Sequence, residues 1–167
     1  MSAVPVSIVF HRFGAHAQPV LSDELREQGF RRRFGETDTA LRIGEVYGHH
    51  QDLVIADQLA NRLRDLDPTA VFEIVVAPTG EYDGDRIVID PDLGEYDSGA
   101  DHAGRALLLA DDVITNLEFA AAQITAGRDP AAVLAELDRA VGGPWQRRLA
   151  ELRDPHRRAT TPAHAHP

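Results

Sequence analysis

The sequence predicts an α+β fold: a small mixed or antiparallel sheet of about four strands, with helices on one face and a helical C-terminal third. Three observations lead there. Short β-branched runs bounded by Gly, Pro and Asp turns occupy the first ninety residues. Two helical segments interrupt them, the longer one over 50–66. From residue 105 onward the apolar period is helical throughout. At 167 residues and 43% hydrophobic the chain suits one domain, set at 1–158, with 159–167 as a disordered tail.

Residues 4–10 are apolar and β-branched, a first strand, and 11–19 read as a loop. Ser22 caps a short helix through Gln28, which Gly29 ends. Residues 39–47 read as a strand with Leu41 and Ile43 on one face and a bulge near Gly44. Helix 50–66 carries Ile55, Leu59, Leu63 and Leu66 at helical spacing, and Asp67-Pro68 stops it. Residues 70–77 form the most apolar run and read as a central strand. The turn pair Asp83-Gly84 then leads into a strand over 86–90.

Beyond it, Leu107, Ala110, Ile114, Leu117, Ala121 and Ile124 form a wide stripe, read as one core-facing helix from Arg105 to Gly127. The alternative makes 106–110 a strand and starts the helix at Asp111. Asp129-Pro130 opens the next helix and Gly142-Gly143 stops it. Pro144 opens the last helix, whose Trp145, Leu149 and Leu152 share a face expected to fold back on the preceding helix pair.

Composition excludes several chemistries. All 17 basic residues are arginine and cysteine is absent. A Walker-A loop, a kinase-type lysine and a Schiff base each need lysine, and thiolate catalysis needs cysteine. Arginine stays protonated and cannot serve as a base in lysine's place. No G-x-S-x-G or G-x-G-x-x-G occurs. No apolar run approaches a membrane span, and no basic region precedes the first apolar run, so the expected location is cytoplasmic, away from membranes.

The net charge of −10 is concentrated. Residues 73–118 hold twelve acids against Arg86 and Arg105, which accounts for all of it. Such a region repels phosphate backbones, so nucleic acid is a poor partner, and it attracts a basic protein surface. Within it, Gly80-Glu81-Tyr82-Asp83-Gly84 is echoed by Gly94-Glu95-Tyr96-Asp97-Ser98. Tyrosines in an acidic rim suit an arginine-rich partner, so the expected binding set is Glu81, Tyr82, Asp83, Asp85, Glu95, Tyr96, Asp97 and Asp101. Two basic clusters, Arg31-Arg32-Arg33 and Arg147, Arg148, Arg153, Arg157 and Arg158, suggest a phosphate contact, against which the acidic total argues.

A second reading is a divalent-metal-dependent hydrolase whose Asp90, Asp92, Asp111 and Asp112 hold a Mg or Ca ion. The run Ile87-Val88-Ile89-Asp90-Pro91-Asp92 resembles the aspartate motif of haloacid-dehalogenase-like phosphatases over these residues only, without that family's lysine. His11 could join His49 or His50 if their loops meet. Glu73 sits in an otherwise apolar strand, where burial would raise its pKa and make it a candidate acid or base. The favoured function is a non-catalytic binding or regulatory module that meets a basic protein partner through 73–118 and needs no cofactor, with a homodimer as a possible assembly.

Overall fold

Alternation of side chains across two faces organises the whole molecule. In the computed structural model, which describes residues 4–32, 40–51, 55–80 and 83–154, seven antiparallel strands form one sheet. They are β1 (Val4–Arg12), β2 (Arg31–Arg32), β3 (Val46–Gln51), β4 (Val71–Val76), β5 (Asp85–Asp90), β6 (Gly94–Ala100) and β7 (Ala106–Leu107), in the order β2-β3-β1-β4-β5-β6-β7. The helices are α1 (Gln18–Glu27), α2 (Ile55–Leu66), α3 (Ala110–Thr125), α4 (Pro130–Ala140) and α5 (Gly143–Arg153).

The expectation of about four strands is corrected to seven. Residues 94–100, for which the sequence predicts no strand, pair along β5 from Asp85↔Gly99 to Asp90↔Gly94. The other additional strands, β2 and β7, have two residues each and close the sheet edges, where short strands limit unwanted pairing. The strand expected at 39–47 begins at Val46 instead. His49 and His50 therefore lie in β3 rather than opening a helix, and the helix itself starts at Ile55.

One face of the sheet holds the main core. Val6, Ile8 and Phe10 of β1, Phe72 and Ile74 of β4, and Ile87 and Ile89 of β5 pack with Leu21 and Leu25 of α1 and Leu59 and Leu63 of α2. Gly29, at φ 82°, ends α1: Phe30 N–H reaches Leu25 O at 2.8 Å and Gly29 N–H reaches Arg26 O at 3.0 Å. The opposite face is covered in part by α5, whose Trp145 and Leu149 pack on Val71, Val88 and Tyr96. Helices thus lie on both faces, not one. The reason is that Val71, Glu73, Arg86 and Val88 alternate with the main core and themselves require cover.

Trp145 is 3% exposed, as its spacing requires, but its partner is the sheet more than the helix pair. Its ring stacks on Tyr96 at 5.1 Å, its Nε1–H donates to Gly94 O at 3.1 Å, and the Arg139 guanidinium of α4 lies 4.8 Å from its ring centre. The start of α3 is also corrected. Ala106–Leu107 pairs with β6, so the helix opens at Ala110, close to the alternative reading.

Candidate functional site

The α5-side face holds a polar network at its centre. Glu73 projects from mid-β4 and is 5% exposed; Arg86, from the neighbouring β5, is 4% exposed. Arg86 donates to Glu73 Oε2 through Nε at 3.0 Å and Nη2 at 2.7 Å, a bidentate pair. His11 Nε2 lies 3.0 Å from Glu73 Oε1, and Arg153 at the end of α5 reaches the same oxygen. His11 gets there because the pairing of β1 with β4 skips it: Phe10 faces Phe72 and Arg12 faces Val71.

Burial pushes the Glu73 carboxyl up, but the hydrogen bonds from His11 and Arg86 and the charges of Arg86 and Arg153 outweigh it and hold its pKa at about 2. The expected upward shift is therefore corrected. Glu73 stays ionised and is a poor general acid or base at neutral pH.

Beside this network the uncovered part of the face forms a cavity of about 960 Å³ over β1, β3 and β4. Its side chains include Arg31, Arg32, Arg86, Arg105 and Arg153, with His49 and His102, and among the described residues Glu73 is the only carboxylate that lines it. The charges do not balance. Arg32 pairs with Glu45 at 2.9 Å and Arg105 with Asp101 at 2.6 Å. Arg86 and Arg153 share Glu73. Arg31 donates to Phe30 O at 3.0 Å and has no carboxylate partner among the described residues. Among the described residues two guanidinium charges are thus in excess at a concave site on an acidic protein. Asp101 shapes one wall, accepting from Ala103 N–H at 2.9 Å and Arg105 N–H at 2.8 Å. These bonds and the Arg105 side chain lower its pKa.

The expected binding residues do not form one rim. Glu81 and Tyr82 lie outside the described residues. Tyr96 is buried under Trp145 rather than displayed, because Val88 and Leu149 complete an apolar pocket around the two rings. Glu95 pairs with Arg64 of α2, and Asp101 is committed to its own loop. Asp85 is partly buried, with Oδ1 accepting from Arg86 N–H at 3.1 Å. Asp83 and Asp97 are exposed.

The aspartates of the metal reading are divided between two elements. Asp90, 1% exposed, caps the β5–β6 turn through Asp92 N–H at 2.8 Å and Leu93 N–H at 3.3 Å and takes Arg148 Nε at 3.2 Å. Asp92 is exposed, with Arg148 at 3.6 Å and Arg12 at 3.9 Å. Asp111 and Asp112 lie in the first turn of α3. Among the described residues no group of three or more His, Asp or Glu side chains converges to hold a metal. His11 is engaged by Glu73, and His49 meets Phe30 edge-on at 6.0 Å.

Sequence reasoning noted Arg31, Arg32 and Arg153 but discounted them on net charge, and it did not connect Arg86 or His102 with them. A local excess of one sign is invisible in a total, and only the sheet order brings these residues together. Among the described residues no helix is long and apolar enough to cross a membrane. No curated protein and no solved structure matches the chain. Residues 48–164, which include Glu73, Arg86, Arg105 and Arg153 but not His11, Arg31 or Arg32, match the model of the family described as "Protein of unknown function (DUF3145)", and the chain belongs to that family.

Proposed function

We propose that the chain is a non-catalytic binding or regulatory module that holds an anionic ligand, through its phosphate or carboxylate groups, in the arginine-lined cavity. The observation that carries this reading is the charge imbalance among the described residues: five guanidiniums line the site, and the one carboxylate beside them is already shared by two. Guanidinium forks match the oxygens of such groups bidentately. Glu73 is the anchor that keeps Arg86 in place, and the α5 end brings Arg153 to the rim. The ionised, fully engaged Glu73 and the absence of a clustered carboxylate set among the described residues favour binding over turnover.

Thermal unfolding with inorganic phosphate, pyrophosphate or citrate, each against chloride at matched ionic strength, tests the reading. A ligand bound only by the folded state stabilises it by about 2.7 kcal/mol at a hundred times its Kd. At least one of these anions should raise the midpoint, and Arg31→Ala and Arg153→Ala should each weaken the effect. Equal midpoints with all three and with chloride would overturn it.

A further inference from the structure

A second surface lies outside the cavity. Of the ten large hydrophobic residues exposed among the described residues, eight fall between Leu107 and Leu134. Helix α3 supplies four of them, Ile114, Leu117, Phe119 and Ile124, and the three leucines 107–109 lead into it. Its more buried positions, Val113, Asn116, Ala120 and Gln123, recur at three-and-four spacing and form the side turned to α4. That seam is small and polar. The apolar stripe of Ile114, Leu117, Ala121 and Ile124 lies beside it in solvent, with Ile114 and Leu117 each 52% exposed. Leading into the N-terminus of α3, Leu107, Leu108 and Leu109 line a groove of about 380 Å³ against the β6–β7 edge, to which α3 contributes Asp112, Val113, Thr115 and Asn116. Leu109 is 72% exposed. An uncovered apolar face of this extent marks a contact surface.

Charge decides what covers it. Asp97 and Asp112 line the groove, Asp111 and Glu118 project from α3, and α3 has no basic residue. A second copy would set these acids against the same acids, on a protein of net charge −10. An amphipathic helix with leucine-like residues on one side and lysine or arginine beside them satisfies both the stripe and the rim. We infer that the outer stripe of α3, with the exposed leucines that lead into it, from Leu107 to Ile124, forms the docking face for a basic amphipathic helical segment of another protein. The inference is independent of the anion cavity, and either can fail alone.

The probe is a synthetic amphipathic helix of leucines and lysines, with a control that keeps the leucines and replaces every lysine by glutamate. Amide hydrogen exchange of the wild-type chain locates the contact. The lysine peptide should protect residues 107–124 and bind more weakly as salt rises. Leu109→Asn and Leu117→Asn, both at exposed positions, should each weaken it at least tenfold while leaving the circular dichroism melt unchanged. The combined Asp111→Asn, Asp112→Asn, Glu118→Gln variant should lose most of the salt dependence. Equal binding of the glutamate peptide, or protection elsewhere, would overturn the inference. Sedimentation that shows a dimer at micromolar concentration with 107–124 protected would also overturn it, assigning the face to a second copy.

Discussion

Replacing Glu73 with glutamine removes the carboxylate that neutralises Arg86 and Arg153 on the α5 side of the sheet. Because Arg86 is 4% exposed, its charge is then left largely buried without its partner. Breaking a buried pair from one side costs about 3–5 kcal/mol. The protonation equilibrium gives a similar figure. Glu73 falls from an ordinary 4.5 to about 2 on folding, and each unit is worth about 1.4 kcal/mol, so the ionised carboxylate contributes about 3 kcal/mol. The sign follows from the depressed pKa. The contribution is fully present above pH 4.5 and is lost as the pH falls towards 2.

Urea unfolding followed by Trp145 emission between pH 7 and pH 2 measures it. Glu73→Gln should be about 3 kcal/mol less stable at pH 7, roughly 10 °C in midpoint for a chain of this size, and the gap should close towards pH 2. Glu73→Leu combined with Arg86→Met should recover much of the loss, since a well-packed apolar pair can replace a buried ion pair. A Glu73→Gln variant within 1 kcal/mol of the parent at pH 7, or a gap constant down to pH 2, would refute the assignment of Glu73 as the ionised centre.

Two further predictions concern the α5 attachment. Trp145→Ala should cost about 3–5 kcal/mol, and the parent's emission should be blue-shifted and unchanged on dilution, since the covering groups belong to the same chain; a red shift on dilution would point to cover by another subunit. Gly142→Ala should destabilise by more than about 2 kcal/mol in urea unfolding, because residue 142 holds φ 77° and an added Cβ would lie 2.3 Å from Tyr96 Cζ; a midpoint like the parent's would show that the α4–α5 junction moves freely away from the sheet.

Much of this fold is legible in the sequence, and the misses share a cause. The strands expected at 4–10, 70–77 and 86–90 match β1, β4 and β5 to within two residues because their residues are largely β-branched and, in β4 and β5, buried on both sides. The turns at Gly29 and Gly127 and the cap at Asp129 are read from residue chemistry alone; the Asp129 carboxylate accepts from Ala131 and Ala132 N–H at 3.3 and 3.2 Å. Strand β6 is missed because Gly94, Glu95, Asp97, Ser98 and Gly99 have low strand propensity. Pairing with β5 overrides that, and Tyr96 and Ala100 are the side chains it buries. The sites were harder. Acids counted together by sequence position point in different directions in space: Glu73 into the sheet's far side, Asp90 into a turn, Glu95 towards α2.

Helix α3 shows most clearly where periodicity stops being informative. Its stripe at Ala110, Ile114, Leu117, Ala121 and Ile124 has the spacing of a core-facing helix, and that spacing specifies an apolar face without specifying what meets it. Among the described residues Ile114, Leu117, Ala121 and Ile124 stay exposed, while Val113, Asn116, Ala120 and Gln123 are the more buried positions of a helix that packs on α4. The same two facts that make the stripe look like core, its length and its continuity, make a bare surface costly in water, at about 25 cal/mol per Å² of apolar area left exposed. A hairpin of this kind that had no partner would gain stability by rotating α3 until Leu117 and Ile124 lay against α4. That α3 instead presents them outward, beside three acids and no base, is the physical ground for treating the face as half of an interface whose other half is basic.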